Sequence, residues 1–201
     1  MMSVKRSFVL CQQVSLEEPG KTQGWNIESR VHESKIPGAG KGRFSLENVA
    51  GNKRVVMKKL IPMNDIKNLT DVPRDCTITF SNHEDLENFI TKAHEEGFHS
   101  RDTILNLFEH FIWGLDNSRV CLNVATWTIN HADSANTDII RLRFEVIDGV
   151  EYVVGDTLEK GIKEGHEIAC PYHDFVFPAF YKEFCEANHI TDVRSMVLDY
   201  A

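Results

Sequence analysis

Asn130 and His131 stand side by side in Trp127-Thr128-Ile129-Asn130-His131-Ala132-Asp133-Ser134-Ala135-Asn136. An apolar approach runs into the pair, and a short run of small and polar residues follows that suits neither a helix nor a strand. Asn carries an amide with donor and acceptor in fixed geometry, and His carries two ring nitrogens. Such a pair can pin one backbone segment to another or read the edge of a ligand. The loop is read here as one wall of a cofactor pocket, and a purely loop-stapling role is compatible with the same residues.

A second candidate is Ser34-Lys35-Ile36-Pro37-Gly38-Ala39-Gly40-Lys41-Gly42-Arg43-Phe44, with three glycines at alternate positions between two expected strands. Glycine at this density implies either positive φ or close approach of another group; a tight turn or bulge without a ligand satisfies the same pattern. A nucleotide-phosphate loop is excluded, because Lys35 occupies the position of its first glycine and Gly42, not Ser or Thr, follows Lys41. His83, His94, His99 and His110 cluster in sequence but match no metal-ligand spacing, so no metal is expected. Cys11, Cys76, Cys121, Cys170 and Cys185 are scattered, odd in number and without a CxxC pair. This fits reduced thiols in an intracellular protein, nuclear or cytoplasmic, rather than a disulfide framework.

These residues need a scaffold, and 201 residues suffice for one domain with a substantial core. No apolar run approaches the roughly 18 residues of a membrane span. The start, Met1 to Gln13, lacks the apolar core and cleavage site of a signal peptide. A formal charge of −8 disfavours direct nucleic-acid binding and suits a basic peptide partner.

Along the chain, residues 1–27 read as an N-terminal arm with one short strand. Arg54-Val55-Val56-Met57 is strand-like, and residues 61–120 read as a helical insertion. In its first helix Ser81 or Asn82 is the cap, Leu86, Phe89, Ile90 and Ala93 share one face, and Gly97 ends it. In its second Ser100 is the cap, Ile104, Leu105, Phe108, Phe111 and Ile112 form the apolar face, and Gly114 closes it. Arg141 to Val146 alternate as a half-buried strand, and Asp148-Gly149 turns it into Glu151-Tyr152-Val153-Val154. The tail, 177–201, is expected to be helical, with Phe177, Phe180, Tyr181 and Phe184 on one docked side. The whole is α+β and β-rich.

Three pieces, in this order, resemble the SET-domain protein lysine methyltransferases. Gly38-Ala39-Gly40-Lys41-Gly42-Arg43-Phe44 is similar to the family's glycine-rich motif, Ile129 to Asn136 to its Asn-His-Ser-Cys-x-Pro-Asn motif, and Gly165-His166-Glu167-Ile168-Ala169-Cys170-Pro171-Tyr172 to its Gly-Glu-Glu-Leu-x-Tyr-Asp-Tyr motif. The resemblance covers residues 28–176. It implies a SET-domain fold of small curved β-sheets, with a knot-like C-terminal core where the second and third motifs cross. It also implies S-adenosyl-L-methionine as cofactor, bound by the backbone of Ala39, Gly40 and Lys41 and by Asn130 and His131, with Tyr172 as the catalytic tyrosine. Cys170 and Phe175 fall at the substrate channel, where relatives often carry Tyr or Phe in place of Cys170, so room for multiple methylation is expected. The implied activity is methylation of lysine on a basic protein or peptide, a histone tail being one example. A non-histone protein substrate, or a scaffold that binds without catalysis, are the alternatives.

The departures from the motifs are specific: Ala132-Asp133 replace Ser-Cys, Ala135 replaces Pro, His166 replaces the first Glu and Pro171 the Asp before the tyrosine. Pro171 removes a backbone donor beside the site. The zinc cluster common after the domain in relatives is missing. In its place Phe177, Phe180 and Tyr181 are expected to pack over the cofactor or lysine channel.

Overall fold

The molecule's longest hairpin turns at Asp148 and Gly149, whose φ angles of 50° and 78° are those of a two-residue turn matched to strand twist. It joins β7 (Thr137–Ile147) to β8 (Val150–Thr157), with Ile147 opposite Val150. The structure is a computed structural model and describes residues 23–36, 38–97, 100–124, 128–131, 137–193 and 195. Most of the N-terminal arm, residues 132–136, His99 and the end of the tail lie outside the described residues.

From this hairpin a single sheet path extends both ways. The other strands are β1 (Ser29–Glu33), β2 (Lys41–Ser45), β3 (Arg54–Pro62), β4 (Cys76–Phe80), β5 (Val120–Asn123), the two-residue β6 (Asn130–His131) and β9 (Glu167–Cys170). Their order is β1-β2-β9-β7-β8-β3-β4-β5, with β6 branching from β9. The fold is therefore strand-rich α+β, as its residue pattern suggests. β9 is the junction: β2 pairs with it antiparallel, and both β7 and β6 pair with it in parallel. Its four residues are all buried, which suits a strand with neighbours on each side.

Helix α1 (His83–Glu95) starts at Asn82, whose side chain accepts from the Asp85 N–H, and Gly97 follows its end at φ 74°. Helix α2 (Arg101–Phe111) starts at Ser100, whose side chain accepts from Thr103. Leu86, Phe89, Ile90, Ala93, Ile104 and Phe108 are buried as their spacing predicts, and Leu107 joins them. Beside its helices the stretch 61–120 holds strands, because β4 lies parallel to β3 and pairs with β5, stitching the insertion into the sheet. One expectation for this region changes. Gly114 does not close α2, which already gives way to extended backbone at Ile112. A Cβ at Gly114 would lie 2.4 Å from the Val176 carbonyl oxygen, so close backbone approach requires the glycine.

Helix α3 (Ala179–Asn188) docks on these two helices. The Tyr181 hydroxyl donates to the Phe108 carbonyl at 3.0 Å, and the Phe184 ring lies 5.8 Å from Phe108 and 5.2 Å from His83. Burial pushes the Tyr181 phenol well above its ordinary pKa, followed by the neighbouring Cys185.

Candidate functional site

The glycine-rich run bridges β1 and β2. Gly38 and Gly40 have φ of 78° and 67°, and a side chain at either would point into open space. Backbone conformation selects glycine at these two positions, and among the described residues no atom lies against the side a Cβ would take. The loop is closed by the Ser34 N–H donating to the Gly40 carbonyl at 2.8 Å. Gly42 differs: a Cβ there would lie 2.2 Å from Glu167 Oε1.

Glu167, the first residue of β9, is completely buried. The Ser34 hydroxyl donates to its two oxygens at 2.8 and 3.0 Å, the Lys35 N–H to Oε2 at 3.1 Å, and the Asn130 side-chain amide to Oε1 at 2.7 Å. Asn130 gives its second amide hydrogen to the Lys41 carbonyl at 3.0 Å. The glycine run, the Asn-His pair and the start of the third stretch thus meet in one polar cluster. Lys41 enters through its carbonyl, while its ammonium pairs outward with Glu33.

A second set of contacts joins Tyr172 to the same pair. The Tyr172 N–H donates to His131 Nδ1 at 3.0 Å, so that nitrogen carries no proton. The Tyr172 hydroxyl donates to the Ile129 carbonyl at 2.6 Å, and its ring stacks on Phe175 at 5.0 Å. Burial, and then Cys170, pushes the phenol above its ordinary pKa, and burial does the same to the Cys170 thiol. Both groups keep their protons through the neutral range. Pro171 sits at a natural break, since β9 ends at Cys170 and Pro171 precedes a single 3-10 turn, Tyr172–Asp174.

Next to this turn lies a cavity of about 220 Å³. Ile139, Leu142, Cys170 and Phe175 are among its apolar lining, and Arg141, His173 and Asp174 supply polar groups. Cys170 and Phe175 therefore share a cavity. Phe177, Phe180 and Tyr181 are not among its lining, and the Tyr181 hydroxyl is committed to α2. His166, where the motif has Glu, instead lies 3.1 Å from the buried Asp138 carboxylate, which also meets Lys160 and accepts from the Lys163 N–H. Of the clustered histidines, His83 faces Phe184 and His110 Nδ1 lies 2.8 Å from the Asn106 carbonyl oxygen.

The roles that reading by motif misses are those of Glu167 and Ser34. The usable signal is a glutamate followed by Ile168 and Ala169 in a fully buried strand, opposite a stretch whose Gly42 leaves room for it.

No family model and no curated protein matches the chain. Among solved structures it is similar to Polycomb Repressive Complex 2 of Chaetomium thermophilum in several forms. One, an apo form with two substitutions in Ezh2, is 18% identical with a TM-score of 0.49, over 79% of this chain and 16% of that one. An apo, autoinhibited form is 16% identical with a TM-score of 0.49, over 81% and 17%. An autoinhibited form bound to S-adenosylmethionine is 17% identical with a TM-score of 0.48, over 80% and 17%. The chain spans about a sixth of the length of these matched chains.

Proposed function

We propose that this chain is a SET-domain methyltransferase that uses S-adenosyl-L-methionine to methylate lysine side chains of a protein. The observation that carries the reading is the convergence of three distant stretches: Glu167 holds the glycine loop and Asn130 together, and Tyr172 is hydrogen-bonded to both Ile129 and His131. The residues fit the cofactor. The clear faces of Gly38 and Gly40 admit close approach to the loop backbone, and among the described residues no donor meets the Asn130 side-chain oxygen, which is left to accept from an amino group.

When bound, the cofactor supplies an electrophilic methyl group on a sulfonium. The chain's own task is to present an uncharged amine to it. A free lysine has a pKa of about 10.4, so its deprotonation at neutral pH costs roughly 4 to 5 kcal/mol. In the cavity beside Tyr172, the apolar residues Ile139, Leu142, Cys170 and Phe175 and the cationic Arg141 lower that cost by disfavouring the ammonium, while Asp174 acts in the opposite direction. Tyr172 acts by orientation, not as a base: its proton is committed to Ile129, and its oxygen keeps lone pairs able to hold the amine or methyl hydrogens. Alignment of this kind supplies several kcal/mol of the order known for oriented reactants.

The net charge of −8 favours a basic substrate segment, with a histone tail as one case and a non-histone protein as another. Cys170, smaller than the Tyr or Phe of relatives, leaves room for more than one methyl group. The test is transfer of labelled methyl from the cofactor to a panel of histones and cell proteins. Incorporation that disappears in Tyr172→Phe is expected; cofactor binding without any transfer would replace the enzyme by a scaffold. Product mass spectra should contain di- or trimethyl-lysine, shifting toward monomethyl-lysine in Cys170→Phe. Monomethyl-lysine alone from the unaltered chain at long times would refute the size argument.

A further inference from the structure

We infer that Glu167 is a positioning residue that orients the Asn130 amide and fixes one limb of the glycine loop, so that both face the cofactor. The inference rests on the cofactor reading above and adds to it a residue acting from behind the site.

The geometry is directional. An asparagine amide can be turned by half a rotation at little cost in shape, exchanging its donor and acceptor ends. Here the nitrogen end is fixed twice, by the Lys41 carbonyl at 3.0 Å and by Glu167 Oε1 at 2.7 Å. Turned over, Asn130 would set its oxygen against two acceptors. Its oxygen is thereby aimed away from Glu167, as an acceptor for a ligand N–H. The same carboxylate takes Ser34 Oγ–H and the Lys35 N–H, and Ser34 Oγ in turn accepts from the Ile36 N–H at 3.0 Å. Backbone on the entry side of Gly38 is thus tied to the same point as Asn130.

The chemistry of Glu167 sharpens this. It is fully buried, and all its partners among the described residues are N–H or O–H donors, none of them a charged side chain. An acceptor-only role matches the ionised carboxylate. Burying such a charge without a cation is costly, and a hydrophobic residue would fill the space more cheaply. Its charge also polarises the Asn130 amide, making the far oxygen a better acceptor for a cationic amino group.

The test uses the full chain and a double-mutant cycle. Glu167→Gln keeps the shape but cannot accept from all its donors at once; it should weaken S-adenosylmethionine binding by about tenfold or more. Because Glu167 acts in part through Asn130, the loss caused by Glu167→Gln should be smaller in an Asn130→Ala background than in the unaltered chain, the remainder being the share of the glycine loop. Additive losses, or unchanged affinity in a folded Glu167→Gln, would overturn the inference. Ser34→Ala, a milder variant, should act in the same direction if Glu167→Gln does not fold, and unchanged binding there would count against it equally. A second readout is independent of the cofactor: Lys35 amide exchange should accelerate in Glu167→Gln, and unchanged protection would also overturn the role. If the unaltered chain does not bind the cofactor at all, the functional reading fails, whereas the Lys35 readout still judges Glu167.

Discussion

The helical insertion and the Glu167 cluster are held together by opposite means. Around α1, α2 and α3 the contacts are aromatic: Phe80, Phe89, Phe108 and Phe184 form a chain of rings with centroids 5.6 to 5.8 Å apart. Around Glu167 they are polar, and they join residues 132 or 133 positions apart on one side and 37 on the other. Apolar packing is tolerant of direction and sums over many weak contacts. A buried carboxylate has a few obligatory partners and fails when one is lost. The insertion should therefore govern how stable the molecule is, and the cluster how well it binds.

Substitutions can separate these two roles. Phe108→Ala removes the ring shared by Phe80, Phe89 and Phe184 and should destabilise by about 3 to 5 kcal/mol in denaturant unfolding, while cofactor affinity of the folded fraction stays the same. A large affinity loss there would break the division. Gly42→Ala drives a methyl group into the pinned Glu167 carboxylate and should cost about 1 to 3 kcal/mol together with a loss of affinity. If stability alone changed, the cluster would be structural only. Asn82→Ala removes the α1 cap and should cost about 1 kcal/mol with no effect on binding.

The smallest effect concerns alkaline pH. Burial raises the Tyr172 phenol in the folded state, so its contribution to stability is complete below the unfolded value of about 10 and is lost as pH rises toward the folded one. Unfolding measured from neutral pH to about pH 11 should fall less steeply in Tyr172→Phe than in the unaltered chain. Equal slopes would mean that Tyr172 is less enclosed than its contacts with Ile129 and Phe175 indicate.

The same contrast explains what is legible in the sequence. Helix faces follow from spacing within a dozen residues, so the residue order alone assigns Leu86, Phe89, Ile90 and Ala93 to one face, narrows the first cap to Ser81 or Asn82, and assigns the Ser100 cap and the Asp148-Gly149 turn as well. β4 is easier to overlook: Cys76-Thr77-Ile78-Thr79-Phe80 alternates apolar residues with threonine, but the run is only five residues long and its threonines are buried with the rest. The glycine loop and the Asn130-His131 pair are visible as motifs. Glu167 falls within the third motif, but its role is not legible there, because its significance lies in partners far away in sequence. The docking of α3 is hidden for a related reason: spacing tells which face is apolar, not which neighbour covers it.

The most direct measurement is calorimetric titration of S-adenosylmethionine into the unaltered chain and into folded Asn130→Ala. Binding by the former and a loss of about tenfold or more in the latter are predicted, since Asn130 would join the loop to the ligand. Equal affinity in the two proteins would contradict the account and leave Asn130 as a staple between backbone segments.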